Sequence, residues 1–225
     1  MNILLTNDDG IEAPGIRSLF NCVSGNKVFV APHEAKSGCG HQVSTGRDFQ
    51  IEKRTETEFA IHGTPADCVR LFPFLLKDKI DWVLSGINAG GNLGVDLYIS
   101  GTAAAAREAA ILGYNAIAIS QRIRDKNPIN WEMSERYTKQ VLSELMNKPL
   151  AEKTFWNVNL PHIFSGEKEP KIVYCTASKL PLDMNYVIKG SRALYRGDYA
   201  KRPRETGSDV DVCFSGNIAV SLIEI

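Results

Sequence analysis

The chain has 225 residues, of which 44% are hydrophobic and 23% are charged. These values are ordinary for a globular protein and exclude an intrinsically disordered one. A chain of this length buries roughly 70% of the surface of its unfolded form, so it needs neither disulfides nor a metal ion to fold. Lys and Arg together number 26, as do Asp and Glu, and the formal net charge is zero. This balance argues against a broad surface for nucleic acid polymers or for a membrane.

The five cysteines are an odd number without a C-x-x-C spacing, which argues against a disulfide framework and against a zinc site of paired cysteines. The chain begins with a strand-like run, Met1-Asn2-Ile3-Leu4-Leu5, and lacks the basic segment and long apolar stretch of a secretory signal. The uncharged stretch of residues 109–121 is too short to cross a bilayer. We therefore expect a cytoplasmic protein.

Short apolar runs alternate with helix-like segments through the first half of the chain. The runs 2–6, 27–31, 81–85 and 115–120 are typical of strands buried on both faces of a parallel sheet. The segments between them predict three helices and one further strand. The first helix runs from residue 14 to about residue 24, the second starts near Thr64-Pro65 and includes Leu75, and the third covers 102–112. The strand covers 57–62. This alternation predicts a three-layer α/β/α sandwich with a mostly parallel sheet.

The second half is less regular. It predicts a helix over 131–147 and strands over 154–160, 170–176 and 217–223. Residues 179–208 show little periodicity, and a stretch of about 30 residues is long for a loop, so we expect a protruding arm there. We place a soft boundary near Leu150, between a first domain of residues 1–150 and a β-rich C-terminal extension of residues 151–225.

Two adjacent carboxylates, Asp8 and Asp9, directly follow the first predicted strand and precede Gly10. In open α/β sheets, ligands lie outside the carboxyl ends of the strands. Neighbouring carboxylates repel each other unless a cation lies between them, and Gly10 permits a turn that brings both toward one point. An Asx turn with a helix cap is the alternative explanation of this segment.

Three further loops place polar residues and glycines after predicted elements. Ser37-Gly38 follow the second strand, and residues 85–94, with Asn88, Asn92 and four glycines, follow the third. The glycine-rich loop is neither a Walker loop nor a G-x-G-x-x-G loop, but its backbone can approach a ligand closely. Ser100-Gly101-Thr102 open the Ala-rich helix, where the helix dipole favours a phosphate, with plain N-capping as the alternative.

Asp8, Asp9, Ser37 and Asn88 each follow a predicted parallel strand, so we expect their loops to converge. This set offers oxygen ligands only, which selects a hard divalent cation such as Mg²⁺ or Mn²⁺ over zinc. A hard cation beside a phosphate-binding helix terminus indicates phosphoester chemistry.

Several blocks of residues lie in order and well spaced over the first 120 residues. They are Thr6-Asn7-Asp8-Asp9-Gly10-Ile11, Ala13-Pro14-Gly15-Ile16, Ala31-Pro32 with Ser37-Gly38, Gly63 to Val69, Ser85-Gly86-Ile87-Asn88, Asn92-Leu93-Gly94 and Tyr98 to Thr102. Together they resemble the SurE family, the survival-protein 5'/3'-nucleotidases. The resemblance implies a Rossmann-like domain that binds one divalent cation per subunit, Mg²⁺ or Mn²⁺, and removes phosphate from nucleoside 5'- and 3'-monophosphates.

The resemblance also implies roles for single residues. The metal ligands of the family fall on Asp8, Asp9, Ser37 and Asn88. The phosphate of the substrate is expected at Asn7, Gly38, Asn92, Ser100, Gly101 and Thr102. Asp8 and Asp9 are the catalytic candidates, and water activated by the cation or by one of them attacks phosphorus. An aspartyl-phosphate on Asp8 is the rival route, ranked lower because Asp8-Asp9 is not the D-x-D pattern usual for that chemistry.

SurE proteins tend to dimerise through exchanged C-terminal segments, and a protruding hairpin can build tetramers. The arm 179–208 and residues 207–211 look similar to that part, which implies a homodimer or homotetramer. Many family members continue past the final strand with a stretch containing Pro-Leu-His and a closing helix, whereas this sequence stops at Ile225. We therefore transfer no role from a late His or Asp, and expect those groups to be dispensable or this protein to be slower or differently assembled.

Other interpretations remain open from the residues alone. A nucleotide-binding regulatory protein with little or no turnover is the alternative from another class, and a glycosyltransferase fits Asp8-Asp9 poorly. His33 and His41 flank the Ser37 loop and could serve a substrate or a proton transfer. His62 is expected to be structural, and no two histidines have the spacing of a metal-binding pair.

Overall fold

The computed structural model describes residues 1–125, 127–164 and 166–225. The strands are β1 (Asn2–Thr6), β2 (Asn26–Pro32), β3 (Ile51–Thr55), β4 (Glu58–Ile61), β5 (Trp82–Ala89), β6 (Asn115–Gln121), β7 (Thr154–Leu160), β8 (Ile172–Tyr174), β9 (Tyr186–Lys189), β10 (Arg192–Tyr195) and β11 (Ile218–Glu224). The helices are α1 (Pro14–Phe20), α2 (Pro65–Leu75), α3 (Gly101–Ile111), α4 (Trp131–Leu145) and α5 (Asp209–Phe214). Two short 3-10 turns cover Gly94–Tyr98 and Tyr199–Lys201.

The described strands form one large sheet of order β3-β4-β2-β1-β5-β6-β7-β11-β8, and β9 and β10 form a separate hairpin. Six consecutive strands of this order run parallel, namely β4, β2, β1, β5, β6 and β7. Strand β3 is antiparallel to β4, and β11 is antiparallel to β7. The strand order reverses at β1, which pairs with β2 on one side and β5 on the other. The carboxyl ends of β1 and β5 therefore meet at a topological switch point, where ligands bind in such sheets.

Helices cover both faces of the sheet, as the sequence predicts. The first apolar cluster includes Ile16 and Leu19 of α1 with Tyr137 and Val141 of α4. The second includes Phe72 of α2 and a run of alanines of α3. The alanines let α3 lie close to the sheet, since a small side chain adds little distance between backbone layers. The fold is a Rossmann-like α/β/α sandwich with a mostly parallel sheet and additional antiparallel strands near the C terminus, which confirms the predicted class.

Some predicted boundaries need correction. The first helix ends at Phe20 rather than at residue 24, and the strand predicted over 170–176 covers only Ile172–Tyr174. Strand β3 was not predicted, because its charged sequence Glu52-Lys53-Arg54 lies at a solvent-facing edge of the sheet. Helix α5 was also missed, although Ser208 and Asp211 have the spacing of a capping pattern, and the Ser208 hydroxyl does cap it.

The segment after residue 150 contains both sheet strands and the arm. β7, β8 and β11 continue the main sheet, so the sheet is not interrupted near Leu150, and the division into 1–150 and 151–225 stays a proposal. Within the arm, β9 and β10 form an exposed hairpin. All five cysteines are free thiols. No helix of the described segments combines the length and the apolar character needed to cross a membrane.

Candidate functional site

The chain turns sharply where β1 ends. Gly10 has a φ of +99°, a conformation that favours glycine, and the Asn7 side-chain amide closes the turn by donating to the Gly10 carbonyl at 2.7 Å. The alternative of an Asx turn with a helix cap is not what forms here, because Asn7 donates to a carbonyl and Ala13 precedes α1 without a side-chain cap. The cation explanation stays a prediction. The Asn7 Oδ1 atom is buried and has no hydrogen-bond donor among the described residues.

Asp8 is buried, with 4% of its surface exposed, and lies against the start of α3. Thr102 Oγ1 donates a hydrogen bond of 2.5 Å to Asp8 Oδ1. A Cβ atom on Gly101 would come within 2.7 Å of Asp8 Cβ, so only glycine allows this approach. The helix terminus predicted to receive a phosphate therefore first positions a carboxylate.

Asp9 joins the carboxyl ends of β1 and β5. The main-chain N–H of Ala89 donates to Asp9 Oδ2 at 2.9 Å. The register between β5 and β6 shifts between Ser85 and Asn88, and such an irregularity re-aims side chains at a strand end. Asn88 Nδ2 donates to the Gly90 carbonyl at 2.8 Å, so the amide oxygen of Asn88 is the atom that its predicted role as a metal ligand would use.

The loop that carries Ser37 and Gly38 is fixed at both ends to this site. Its Lys36 N–H donates to the Asp8 carbonyl at 2.7 Å, and its Gly40 N–H donates to the Ile99 carbonyl at 3.1 Å. Between these anchors, Ser37 and Gly38 are exposed. The structure thus brings the β2 loop to both Asp8 and the start of α3, as the convergence of loops predicts.

The two carboxylates are electrostatically unfavourable as an anionic pair. Burial raises the pKa of Asp8 to about 6, the hydrogen bond from Thr102 opposes this, and the charge of Asp9 adds to the increase. Burial also raises the pKa of Asp9, against the hydrogen bond from Ala89. A cation between the two groups would remove this cost. The oxygen-only donor set of Asp8, Asp9, Asn88 and Ser37 fits a hard divalent cation.

The side chains predicted to meet phosphate have several partners inside the protein. Ser100 Oγ accepts from the Ala103 N–H at 3.0 Å as the cap of α3, and Thr102 bonds to Asp8. Asn92 is 8% exposed, and its Nδ2 donates to Ser120 Oγ at 2.9 Å. Its carbonyl accepts from Asn157 and Asn159, each at 3.0 Å. The role of these side chains in binding the substrate phosphate stays a prediction. Main-chain N–H groups near Gly38 and Gly101 are the donors available to a phosphate.

The histidines near the Ser37 loop are held by carboxylates. His41 Nε2 lies 2.7 Å from Glu108 Oε2. His33 Nδ1 and His62 Nε2 lie 3.3 and 2.7 Å from the two oxygens of Glu52, and their rings stack with centroids 4.2 Å apart and an angle of 18°. This pairing could not be predicted from the spacing of the histidines in the sequence. His33 and His62 directly follow β2 and β4, which become neighbours only in the folded sheet. His62 Nε2 is hydrogen-bonded to Glu52, whereas His33 Nδ1 finds no hydrogen-bond partner among the described residues and pairs with Glu52 only when it is protonated.

Several residues support the site although the sequence predicted no role for them there. Asp96, in the turn after the glycine-rich loop, accepts from Tyr199 at 2.7 Å and from Arg202 at 2.6 Å. Asp209 Oδ2 accepts from the Gly94 N–H at 2.7 Å. These bonds attach the base of the arm to the loop that carries Asn88 and Asn92. No local pattern indicates them, since the partners lie more than 100 residues apart.

Comparison with known proteins gives consistent matches. The family model described as Survival protein SurE matches residues 3–180. A protein from Synechocystis sp. (strain PCC 6803), whose name marks it provisionally as a 5'-nucleotidase, is 50% identical over 225 residues that cover the whole of both chains. The 5'-nucleotidase SurE of Paramagnetospirillum magneticum is 40% identical over 230 residues, covering 98% of this chain and 88% of its own.

The fold comparison agrees with the sequence matches. The crystal structure of the SurE protein from Aquifex aeolicus superposes with a TM-score of 0.87 at 31% identity. The match covers 100% of this chain and 93% of that one. The likeness therefore includes the arm and the C-terminal strands as well as the first 150 residues.

Proposed function

Because the chain belongs to the survival protein SurE family, we propose that it is a divalent-metal-dependent 5'-nucleotidase. It hydrolyses nucleoside 5'-monophosphates, and 3'-monophosphates as well, to nucleoside and inorganic phosphate. The observation that carries this proposal is the pair Asp8 and Asp9 at the switch point, tied by hydrogen bonds to the β2 loop, to β5 and to the start of α3. Curated relatives named 5'-nucleotidase support the same activity.

Asp8, Asp9, Asn88 and Ser37 would hold one Mg²⁺ or Mn²⁺ ion. When bound, such an ion supplies positive charge that offsets the charge developing on the phosphoryl oxygens. Thr102 and Gly101 orient the Asp8 carboxylate, and the Ala89 N–H orients that of Asp9. Groups held in this way need little reorganisation during the reaction.

The remaining groups bind the phosphate and handle the proton. Main-chain N–H groups near Gly38 and at the start of α3 face phosphoryl oxygens, and the positive end of the helix dipole favours their charge. A water molecule attacks phosphorus and gives up a proton, and the ester P–O bond breaks. The leaving oxygen stays on the nucleoside and takes a proton from solvent. Asp9 is better placed than buried Asp8 to accept the proton of that water, because Asp9 is half-buried and reaches solvent.

Phosphate release from a panel of nucleoside 5'- and 3'-monophosphates tests the proposal. The reactions contain Mn²⁺, Mg²⁺ or EDTA, and wild type is compared with Asp9→Asn. We expect release that depends on the metal ion and is lost with EDTA and in the variant. Asp78→Asn is the matched control, since Asp78 is exposed and precedes the amino end of β5, at the opposite edge of the sheet.

Two other outcomes of these experiments would contradict part or all of the proposal. A folded wild type that binds nucleotide but releases no phosphate with any metal ion would contradict the proposal and favour a regulatory nucleotide-binding protein. A trapped acyl-phosphate at Asp8 would contradict the direct attack of water while keeping the nucleotidase activity.

We also propose a homodimer or homotetramer located in the cytoplasm. The hairpin of β9 and β10 carries exposed apolar side chains, with Ile188 74% exposed and Tyr186 58% exposed, and an isolated hairpin is marginally stable without further packing. Five free thiols suit a reducing compartment. Light scattering of wild type and Ile188→Lys tests the assembly, and a monomeric wild type would contradict it.

A further inference from the structure

A cavity of about 420 Å³ lies beside the candidate active site, at the carboxyl ends of β6 and β7. Arg122, Arg124, His162 and Phe214 line it, together with the charged residues Glu167, Lys168 and Glu169. Arg122 follows Gln121, which is the ladder partner of Ala89 in β5. Neighbouring strands are about 5 Å apart, and the Ala89 N–H is the group that orients Asp9. The cavity is thus one strand away from the candidate cation site.

Arg122 is a buried cation that forms no ion pair with any carboxylate in the described part of the chain. Its side chain lines the cavity, the residue is 9% exposed, and its guanidinium carbon lies 3.9 Å from the centre of the Phe214 ring. Over the ranges 1–125, 127–164 and 166–225, its buried Nε finds no acceptor. Arginine stays charged in proteins, and a buried charge without a partner is costly. An anion in the cavity would offset this cost.

The two carboxylates that line the cavity, Glu167 and Glu169, pair with Arg124 and Arg136 rather than with Arg122. The guanidinium of Arg204 lies 4.5 Å from the centre of the same Phe214 ring and donates to the Ala200 carbonyl. Arg124 is already paired with Glu167 at 2.8 Å. Burial, followed by the charges of Arg122 and Arg124, lowers the pKa of His162, so that histidine is neutral at pH 7. The positive charge without a partner therefore belongs to the guanidinium groups that lie over the Phe214 ring, those of Arg122 and Arg204.

A wall of aromatic residues connects this charge to the candidate active site. The rings of Phe214 and Tyr199 have centroids 6.1 Å apart. The Tyr199 hydroxyl lies against the glycine-rich loop, where a Cβ on Gly91 would approach it to 3.3 Å. Asn88 and Gly90, which frame the candidate cation site, are in the same loop. Contacts thus run from the loop of the candidate cation site through Tyr199 and Phe214 to Arg122.

We propose that Arg122, with Arg204, binds a second phosphate group of the substrate, so that the enzyme prefers nucleotides with two separate phosphates, such as nucleoside 3',5'-bisphosphates. This inference rests on the proposed nucleotidase function. One phosphate occupies the site of Asp8 and Asp9 and is hydrolysed, while the other is held intact. A guanidinium suits the second position because it forms two parallel hydrogen bonds to phosphate oxygens.

The test compares kcat/KM for adenosine 3',5'-bisphosphate and for AMP, in wild type and in Arg122→Met, which keeps an unbranched apolar side chain over Phe214. We expect wild type to prefer the bisphosphate, and the ratio of the two kcat/KM values to fall at least about tenfold in the variant, the effect of one charge-assisted contact. Arg47→Met is the matched control, since Arg47 is exposed on the loop beyond β2 and lies outside the cavity, and its ratio should equal that of wild type.

A second measurement separates this inference from the proposed function. Calorimetry in EDTA with the Asp9→Asn variant follows binding of the bisphosphate, of AMP and of inorganic phosphate without turnover. Tighter binding of the bisphosphate that is lost with Arg122→Met supports the inference even if no nucleotide is hydrolysed. Inorganic phosphate that binds as tightly as the bisphosphate would assign the cavity to free phosphate and overturn the proposal. An unchanged ratio of the two kcat/KM values in Arg122→Met would overturn it as well, whether or not that variant changes its oligomeric state.

Discussion

Replacing Gly101 by alanine tests whether the start of α3 positions Asp8. The added methyl group would lie 2.7 Å from Asp8 Cβ, and 3.1 Å from both Asp8 Oδ2 and Cys39 Sγ. Overpacking of this kind costs typically about 1–3 kcal/mol of unfolding free energy. The carboxylate must shift or rotate to relieve the contact, and a displacement near 1 Å at a reacting group costs about 100-fold in rate. We therefore expect Gly101→Ala to lose about 100-fold in metal-dependent phosphate release while it stays folded.

The assays are urea unfolding and release of phosphate from AMP with Mn²⁺. Ala106→Gly is the matched control, since Ala106 is buried further along the same helix. An Ala to Gly change costs about 1 kcal/mol in a helix interior. The control should thus lose comparable stability and keep its activity. If Gly101→Ala kept full activity, or if both variants lost activity in proportion to stability, the positioning argument would be refuted.

Three further results are expected. Because the pKa of Asp8 rises from 3.8 to about 6 on folding, the folded metal-free protein retains a proton that the unfolded chain loses, and stability falls as pH rises through that window. Asp8→Asn should therefore stabilise the protein in EDTA by about 3 kcal/mol at pH 8 and about half that at pH 5 in urea unfolding, and destabilisation at pH 8 would contradict this. Arg202→Met leaves Asp96 buried without its cation, so unfolding free energy should drop by about 3 kcal/mol, and a change under about 0.5 kcal/mol would contradict the attachment of the arm. Burial, followed by the charge of Glu135, raises the pKa of Cys22 to about 12, so iodoacetamide at pH 8 should label it about 1000-fold more slowly than in the urea-unfolded chain, as mass spectrometry would show.

Local chemistry determined much of the candidate site in advance. Asp8-Asp9-Gly10 directly follows a run of apolar residues, and the strand end and the turn depend only on neighbours in the chain. The same holds for Thr64, whose spacing to Asp67 predicts the start of α2, and the capping box is present. The convergence of the Ser37 and Asn88 loops was also predictable, since parallel strands bring their carboxyl ends to one edge.

The sequence alone determined that this is an α/β protein with two adjacent carboxylates at the edge of its sheet, because apolar periodicity and turn residues act over a few positions. Only the tertiary structure decided which distant groups meet. Thr102 reaches Asp8 across 94 positions, and Arg122 lies over Phe214, where it forms no ion pair with a carboxylate of the described residues. Contacts of this kind depend on strand register and helix packing, which place residues far apart in the chain at the same edge and which no short pattern encodes.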